Sequence, residues 1–363
     1  MSLQPPYTFD KTTGTLACCH AGLSPPDVDS LCDMLESNTG VTSLKLHNNK
    51  LVVGELSTIL GAVEDSTELT ELRVTANDIG TEGALAIAWA LRTSMAVAQL
   101  SIRLNKIDCE GGWAIGTAIA SNTVLRELVV DGNSFGDKGA VAIAGGLKTN
   151  KALTTLSMAT NVVGDKGASA IGDALEHNTT LTSLRMADNK IGDKGARAFA
   201  GALKTNTTLR KLNLEFNKEI SDKGAIAIAA ALKSNTTLTE LRIYGKGIGV
   251  QGRWALAEML ETNTALTSLR MNEGVLGPCV QRAITRNCLL RVHRRDTALG
   301  LRSHELCPYV FRAGPVHSGK RQRTGASTSV ARSSACMCEA VAALVDNPIF
   351  TADVSRIVRS YLY

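Results

Sequence analysis

Aromatic residues are scarce in this chain of 363 residues, at 4% of the composition, although apolar residues together make up 44%. A core must therefore consist mainly of Leu, Ile, Val and Ala, which suits thin stacked layers. No run of about 18 apolar residues occurs, so we expect no transmembrane helix. The first residues also lack the basic and apolar stretches of a secretory signal.

A disulfide framework is also missing. The nine cysteines are odd in number and scattered without a paired spacing. This usage is typical of a reducing compartment, so the sequence predicts a cytoplasmic protein, with the nucleus as the alternative.

Positive charge is concentrated near one end, although the net charge is only +5. Ten Lys or Arg and two acidic residues lie between Arg286 and Arg332, which leaves the rest of the chain mildly acidic. We therefore expect no nucleic-acid binding by the preceding part of the chain.

One unit of strand and helix is clearest in residues 181–208. Leu184 and Met186 alternate with polar residues, which predicts a short strand. Ala196, Phe199 and Leu203 then recur at spacings of three and four, which predicts one face of a helix. Neither element buries its apolar side alone, so the unit needs a copy on each side.

Copies of this unit fill most of the chain at a 28-residue spacing, with one step of 29 residues between Leu209 and Leu238. A weaker copy around Leu16 and Cys18 precedes them and is expected to cap the array. The nine first positions are Val41, Leu69, Val97, Leu125, Leu153, Leu181, Leu209, Leu238 and Leu266.

The pattern L-x-x-L-x-L-x-x-N-x-L resembles the leucine-rich repeat signature. The 28-residue period and the G-D-K-G-A turn resemble the ribonuclease-inhibitor-like class, which includes NOD-like receptor arrays, tropomodulins and Ran GTPase-activating proteins. The resemblance implies an α/β solenoid with a parallel sheet on its concave side and helices on its convex side. It leaves function open, because this fold hosts many functions.

The repeats divide the chain into four expected parts. Residues 1–12 form an unpatterned leader, and residues 13–290 form the cap repeat plus nine repeats of 28–29 residues. Residues 291–335 are basic and rich in small residues, which predicts a flexible linker. Residues 336–363 are predicted to form a helical segment that either caps the array or binds a partner.

Polar residues recur at the repeat period at three positions of the unit, namely an asparagine in the turn, an asparagine before the next strand and an aspartate at the helix start. By resemblance to the family, a turn asparagine in each unit bonds the backbone of its own and the neighbouring turn. This ladder comprises Asn49, Asn77, Asn105, Asn133, Asn161, Asn189 and Asn217.

Asparagines before the following strands are expected to end helices in the left-handed conformation. Aspartates at the helix starts are expected to accept the first free N–H groups, with a metal ladder as the alternative. The asparagines are Asn38, Asn122, Asn150, Asn178, Asn206, Asn235 and Asn263. The aspartates are Asp137, Asp165, Asp193 and Asp222.

Three motifs imitate cofactor or metal sites. Residues 247–252 match G-x-G-x-x-G, but Gly249 and Gly252 are ordinary repeat glycines. Residues 314–320 match most of a P-loop, but Arg321 stands where Ser or Thr should follow. Five possible zinc ligands lack C-x-x-C spacing, so no cofactor or metal is expected: His304, Cys307, His317, Cys336 and Cys338.

Outward-facing positions of successive strands should form columns, since neighbouring strands lie roughly 4.8 Å apart. The central column is expected to be Lys45, Arg73, Ser101, Val129, Ser157, Arg185, Asn213, Arg242 and Arg270. Arginines and aromatic residues cluster toward its end and predict a site for an acidic protein segment. Alternatively, Phe216 only fills space left by the extra residue of its repeat. The candidate residues are Arg185, Phe216, Arg242, Tyr244 and Arg270.

No nucleophile, base and orienting group can be placed together, so the sequence predicts a non-enzymatic protein-interaction scaffold that binds its partner on the concave face. One alternative is a small-GTPase regulator resembling Ran GTPase-activating proteins. Those proteins carry an acidic tail, whereas this chain ends in a basic one. Another alternative is a ubiquitin-ligase substrate adaptor that uses the C-terminal helices.

Overall fold

The computed structural model describes residues 7–20, 22–37, 40–93, 96–271, 280–288 and 290. The chain divides into two units, 1–277 and 278–363, and the repeats described below lie in the first. In the second unit, residues 280–288 and 290 are helical. The P-loop-like motif, the five zinc candidates, the linker and the C-terminal segment lie outside the described residues.

Strands and helices alternate along the first unit. The strands are β1 (Thr8–Asp10), β2 (Thr15–Cys19), β3 (Ser43–His47), β4 (Glu71–Thr75), β5 (Gln99–Ser101), β6 (Glu127–Val129), β7 (Thr155–Ser157), β8 (Ser183–Arg185), β9 (Lys211–Asn213), β10 (Glu240–Arg242) and β11 (Ser268–Arg270). The helices are α1 (Pro25–Glu36), α2 (Val53–Asp65), α3 (Gly80–Thr93), α4 (Cys109–Ser121), α5 (Gly136–Thr149), α6 (Asp165–His177), α7 (Asp193–Thr205), α8 (Asp222–Leu232) and α9 (Val250–Thr262).

The strands form one sheet in which every strand lies beside its neighbours in sequence. Strands β2 to β11 are parallel, which confirms the predicted α/β repeat architecture. Strand β1 arises within the segment that carried no sequence pattern, and it pairs antiparallel with β2. It thus covers an edge that would otherwise present unpaired backbone groups.

The core lies between the sheet and the row of helices. All nine first-position residues are buried, as are the strand residue Leu184 and the helix residues Ala196, Phe199 and Leu203. The 29-residue step does not disturb the sheet, because Leu212 of β9 pairs with Leu241 of β10 in the normal register. The extra residue is therefore accommodated in the turn.

Each turn asparagine is buried and donates its side-chain amide to a backbone carbonyl 31 residues earlier, in the preceding repeat. Asn189 also accepts from the backbone N–H groups of Asn161 and Val163. Asn161 differs, because its buried Oδ1 has no hydrogen-bond partner. These bonds tie consecutive turns together, since buried backbone groups must be paired.

The expected left-handed helix ends are wrong for the asparagines that the structure describes, and Asn38 lies outside the described residues. Asn178, for example, follows α6 with an extended backbone, at φ −79 and ψ 129. Its amide donates to the carbonyl of Leu147, while its Oδ1 accepts from the N–H groups of Thr180 and Leu181. Asn is required because one side chain must both donate and accept across two repeats. The same extended backbone occurs at Asn122, Asn150, Asn206 and Asn263.

The helix-start aspartates cap a different helix from the one expected. Asp165 opens α6, but its carboxylate accepts from the backbone N–H groups of Gly192 and Gly195 at the start of α7, at 2.9 and 2.8 Å. A Cβ atom on Gly195 would lie 3.0 Å from the same carboxylate oxygen. Each aspartate therefore fastens its own helix to the next one, and the repeat glycine permits the approach. Asp137, Asp193 and Asp222 do likewise.

Candidate functional site

The strand register determines how the candidate residues are arranged. Ser157, Arg185, Asn213, Arg242 and Arg270 are consecutive partners across β7 to β11. The three arginines therefore project from the outer side of the sheet, opposite the helices, which we call the sheet surface. Arg185 and Arg270 lie three strands apart, or about 14 Å at the usual strand spacing.

The two aromatic candidates touch. The rings of Phe216 and Tyr244 lie 5.4 Å apart at an interplanar angle of 74°, an edge-to-face contact. The Phe216 N–H also donates to the Tyr244 carbonyl at 2.6 Å. Phe216 is 48% and Tyr244 40% exposed, so the pair presents apolar area to solvent. Phe216 therefore does more than fill space inside its turn.

Arg185 binds a carboxylate that the sequence analysis did not single out. Its Nη1 lies 2.6 Å from Oδ2 of Asp131, and Arg103 approaches the same oxygen at 3.7 Å. Asp131 is buried and also accepts from the Ser157 hydroxyl and the Ala159 N–H. Arg185 therefore lies across β7 in a set orientation, and part of its charge is neutralised.

Arg270 and Arg242 are paired in a similar way. The Nε of Arg242 donates to Oε1 of Glu240 at 2.7 Å. The Nε of Arg270 lies 3.1 Å from Oε1 of the buried Glu215, but that oxygen has no hydrogen-bond partner, so this contact is an ion pair only. Lys211 adds a further cation 3.9 Å from Glu240. Glu240 stands at an outward position of β10 and Glu215 follows the end of β9, so the sequence places both acids near the arginines. The sheet surface is thus a set of oriented ion pairs rather than bare positive charge.

A cleft of about 320 Å³ adjoins Phe216 at the ends of β7, β8 and β9. Lys190 and Lys218 line it together with Asp188 and Glu219, so it offers charges of both signs beside an aromatic ring. Phe216 lines this cleft and also contacts Tyr244, which makes the two features continuous. The exposed surface thus continues from the strands to the turns that follow them.

The backbone N–H groups of the G-x-G-x-x-G motif already have a hydrogen-bond partner. The N–H groups of Gly249 and Gly252, which a phosphate would need, donate to Oδ1 of Asp222 at 2.7 and 2.8 Å. No cluster of three His, Cys, Asp or Glu within the described ranges could hold a metal ion. Across those ranges, no helix is long and apolar enough to cross a bilayer.

Comparison with known families agrees with the repeat structure. A leucine-rich repeat family model matches residues 65–88, 121–144 and 149–172, and the model of the TMOD/LMOD leucine-rich domain matches residues 169–290. The chain is a leucine-rich repeat protein of the ribonuclease-inhibitor-like class. Protein binding is the role that this relationship to the TMOD/LMOD domains suggests.

Two solved structures are similar to parts of this leucine-rich repeat protein. A structure described as leiomodin-1 actin-binding site 2 is 33% identical, covering 38% of this chain and 80% of its own, with a TM-score of 0.36. The tropomodulin C-terminal domain from Caenorhabditis elegans is 18% identical, covering 44% of this chain and 98% of its own, with a TM-score of 0.38. A comparison with curated proteins finds no match.

Proposed function

We propose that this protein is a non-enzymatic scaffold whose sheet surface binds an acidic segment of a partner protein. The binding residues are Arg185, Phe216, Arg242, Tyr244 and Arg270. The observation that carries the proposal is the exposed Phe216–Tyr244 pair beside oriented arginines. Aromatic residues and arginine are the types that most often dominate interface energy.

The arrangement of charge supports an acidic partner. The ion pairs on this part of the sheet surface join five cations to three carboxylates, namely Arg103, Arg185, Lys211, Arg242 and Arg270 to Asp131, Glu215 and Glu240. The ion pairs of Arg242 and Arg270 use Nε, which leaves the terminal guanidinium nitrogens to donate to a partner carboxylate. Orientation by the internal carboxylates reduces the entropy that binding would otherwise lose.

The test compares two matched double variants. Arg242→Glu with Tyr244→Ala removes the centre of the proposed site. Arg73→Glu with Thr75→Ala changes the equivalent positions of β4, where Arg73 also pairs with an acidic residue two positions earlier. The probe is a fluorescent acidic peptide that carries Glu and Phe residues. We expect the first variant to weaken its binding about tenfold or more and the second to leave it nearly unchanged.

Monomeric actin is a suitable protein probe for the same assay, because the leiomodin-1 structure is described as an actin-binding site. Circular dichroism and thermal melting must match the parent protein in both variants. Equal loss of binding in the two variants, or none in either, would place the partner elsewhere. The alternatives of GTPase regulation and ubiquitin-ligase adaptation gain no support from the described residues.

A further inference from the structure

Tryptophan occurs three times in this chain, and each copy lies on a helix with most of its side chain in solvent. The exposed fractions are 67% for Trp89, 61% for Trp113 and 59% for Trp254. Tryptophan is usually largely buried, since its ring carries a large apolar area. Core packing therefore does not explain why the three tryptophan side chains lie on the solvent side of their helices.

Two of the three tryptophans belong to one apolar surface. Leu85 and Trp89 lie one turn apart on α3, and Trp113 occupies on α4 the position that Leu85 has on α3. Val141 occupies that position on α5, and all four side chains are exposed. The three helices pack side by side, at the usual spacing of about 8–10 Å. We call Leu85, Trp89, Trp113 and Val141 the tryptophan patch.

The fold does not require this patch. The inner sides of α3 and α4 are already filled by buried residues such as Ile87, Leu91 and Ile115. The residue at the position of Trp113 varies among the other helices. It is Ser169 on α6, Arg197 on α7, Ile226 on α8 and Trp254 on α9, so the fold fixes no side chain there. Contiguous exposed apolar area without a structural need is characteristic of an interaction surface.

The helices around the patch are strongly acidic. Helix α1 carries four acidic residues, α2 three, and α3 and α4 one each, whereas Arg92 is the one basic residue among these four helices. The charge of the helices becomes positive at α5, which carries Lys138 and Lys148 against one acid, Asp137. Glu82 and Glu110 lie three residues before Leu85 and Trp113, directly at the patch. The field over this part of the helical side is therefore negative.

We propose that the tryptophan patch docks a basic amphipathic helix of a partner protein. The apolar face of that helix lies on Leu85, Trp89 and Trp113, and its Lys or Arg residues face the acidic residues of α1 to α4. A helix laid along an apolar surface is a recurrent mode of recognition. Tryptophan also attracts cations over its ring, which suits a basic partner. This site is independent of the sheet surface.

The probe is a labelled synthetic helix of about 18 residues with Leu and Phe on one face and Lys on the other, long enough to be helical when bound. Its binding to the full chain is measured by fluorescence anisotropy. The variant Trp89→Ser with Trp113→Ser removes the centre of the patch. The matched control is Trp254→Ser, which removes an equally exposed tryptophan from α9, at the helix position of Trp113.

We expect the double variant to bind the probe about tenfold more weakly or worse, and the control to stay within about twofold. Both should keep the parent melting curve, because the replaced side chains are exposed. Equal affinity of the parent and the double variant overturns the proposal. Association of the chain with itself, lost only in the double variant, would instead assign the patch to a second copy.

The contribution of the acidic residues beside the tryptophan patch is tested with separate variants. Glu82→Lys with Glu110→Lys should weaken probe binding by about tenfold, whereas Asp173→Lys on α6 should change it little. Raising the salt concentration from about 50 to about 200 mM should also weaken binding. A probe with Glu in place of Lys should not bind. If that acidic probe binds as well as the basic one, the assignment of a basic partner is wrong.

Discussion

At the scale of single residues, the turn asparagines are not equivalent. Asn189 accepts two backbone N–H bonds and donates to carbonyls of its own and the preceding repeat. Asn161 donates to two carbonyls, but its buried Oδ1 has no partner. The same side chain in the same turn therefore contributes differently to the free energy of unfolding.

This difference can be measured with two matched variants. Asn189→Ala removes both a donor and an acceptor and should lower the free energy of unfolding by about 1–3 kcal/mol. Asn161→Ala removes the donor function and also removes a buried oxygen that has no partner. It should therefore lower the free energy of unfolding by less than Asn189→Ala does. Urea denaturation gives both values. A loss for Asn161→Ala equal to or greater than that for Asn189→Ala would contradict the difference seen in their bonds.

At the scale of elements, the start of each of the helices α6 to α9 depends on the aspartate of the preceding repeat. Asp193 shows this most fully, because its carboxylate accepts from the N–H groups of Ser221 and Gly224 and from the Ser221 hydroxyl. Burial raises the pKa of Asp193, but the Ser221 hydroxyl and these N–H groups outweigh it and bring the pKa below 3.8. Helix α8 is thus held to α7 through an ionised carboxylate.

The lowered pKa predicts a pH dependence of stability. Because the folded pKa of Asp193 lies below its unfolded value of 3.8, its contribution is complete above that pH. The contribution is lost as the pH falls through the folded pKa. Asp193→Asn should therefore flatten the acid side of the stability–pH curve, which thermal melts between about pH 2 and about pH 6 would show.

Ser221→Gly provides a finer comparison, since glycine is the residue at this position in two neighbouring repeats. It keeps the backbone N–H donors and removes only the hydroxyl, so it should reduce the acid dependence without abolishing it. Asp173→Asn, an exposed acid on α6, should leave the curve unchanged. An acid limb that is identical in Asp193→Asn and the parent would show that the capping bonds do not depend on the charge.

At the scale of the whole molecule, each repeat is stabilised mainly by its two neighbours. Leu184 is fully enclosed in the layer between β8 and the helices, and its strand pairs with β7 and β9. In a repeat array of this kind, the unfolding of one repeat removes contacts that stabilise the adjoining repeats. The stability of one layer is therefore linked to that of the layers beside it.

Leu184→Asp places an uncompensated charge in this layer and should destabilise by more than about 3 kcal/mol. The helical circular dichroism signal should fall by more than the share of one repeat, because neighbouring repeats lose their contacts too. Val124→Asp is the control, since that side chain is exposed outside the strands and helices and the change should be nearly neutral. A loss of signal limited to one repeat would argue against coupling between layers.

The sequence by itself determined the repeat architecture. The alternation around Leu184 and the helical spacing of Ala196, Phe199 and Leu203 are local patterns, and the 28-residue period stacks them in one register. The order of the central column followed directly, because equal positions of successive parallel strands must be neighbours. These features depend on hydrophobic periodicity, which is a property of the order of the residues alone.

Only the tertiary structure decided which partners the polar side chains bind and which apolar side chains face solvent. Arg185 pairs with Asp131, 54 residues away across an intervening strand, and Asp165 caps the helix of the following repeat rather than its own. The exposure of Trp89 and Trp113 likewise follows from which side of each helix faces the sheet. Such contacts join residues that are distant in sequence and depend on side-chain conformation, so a local pattern does not specify them.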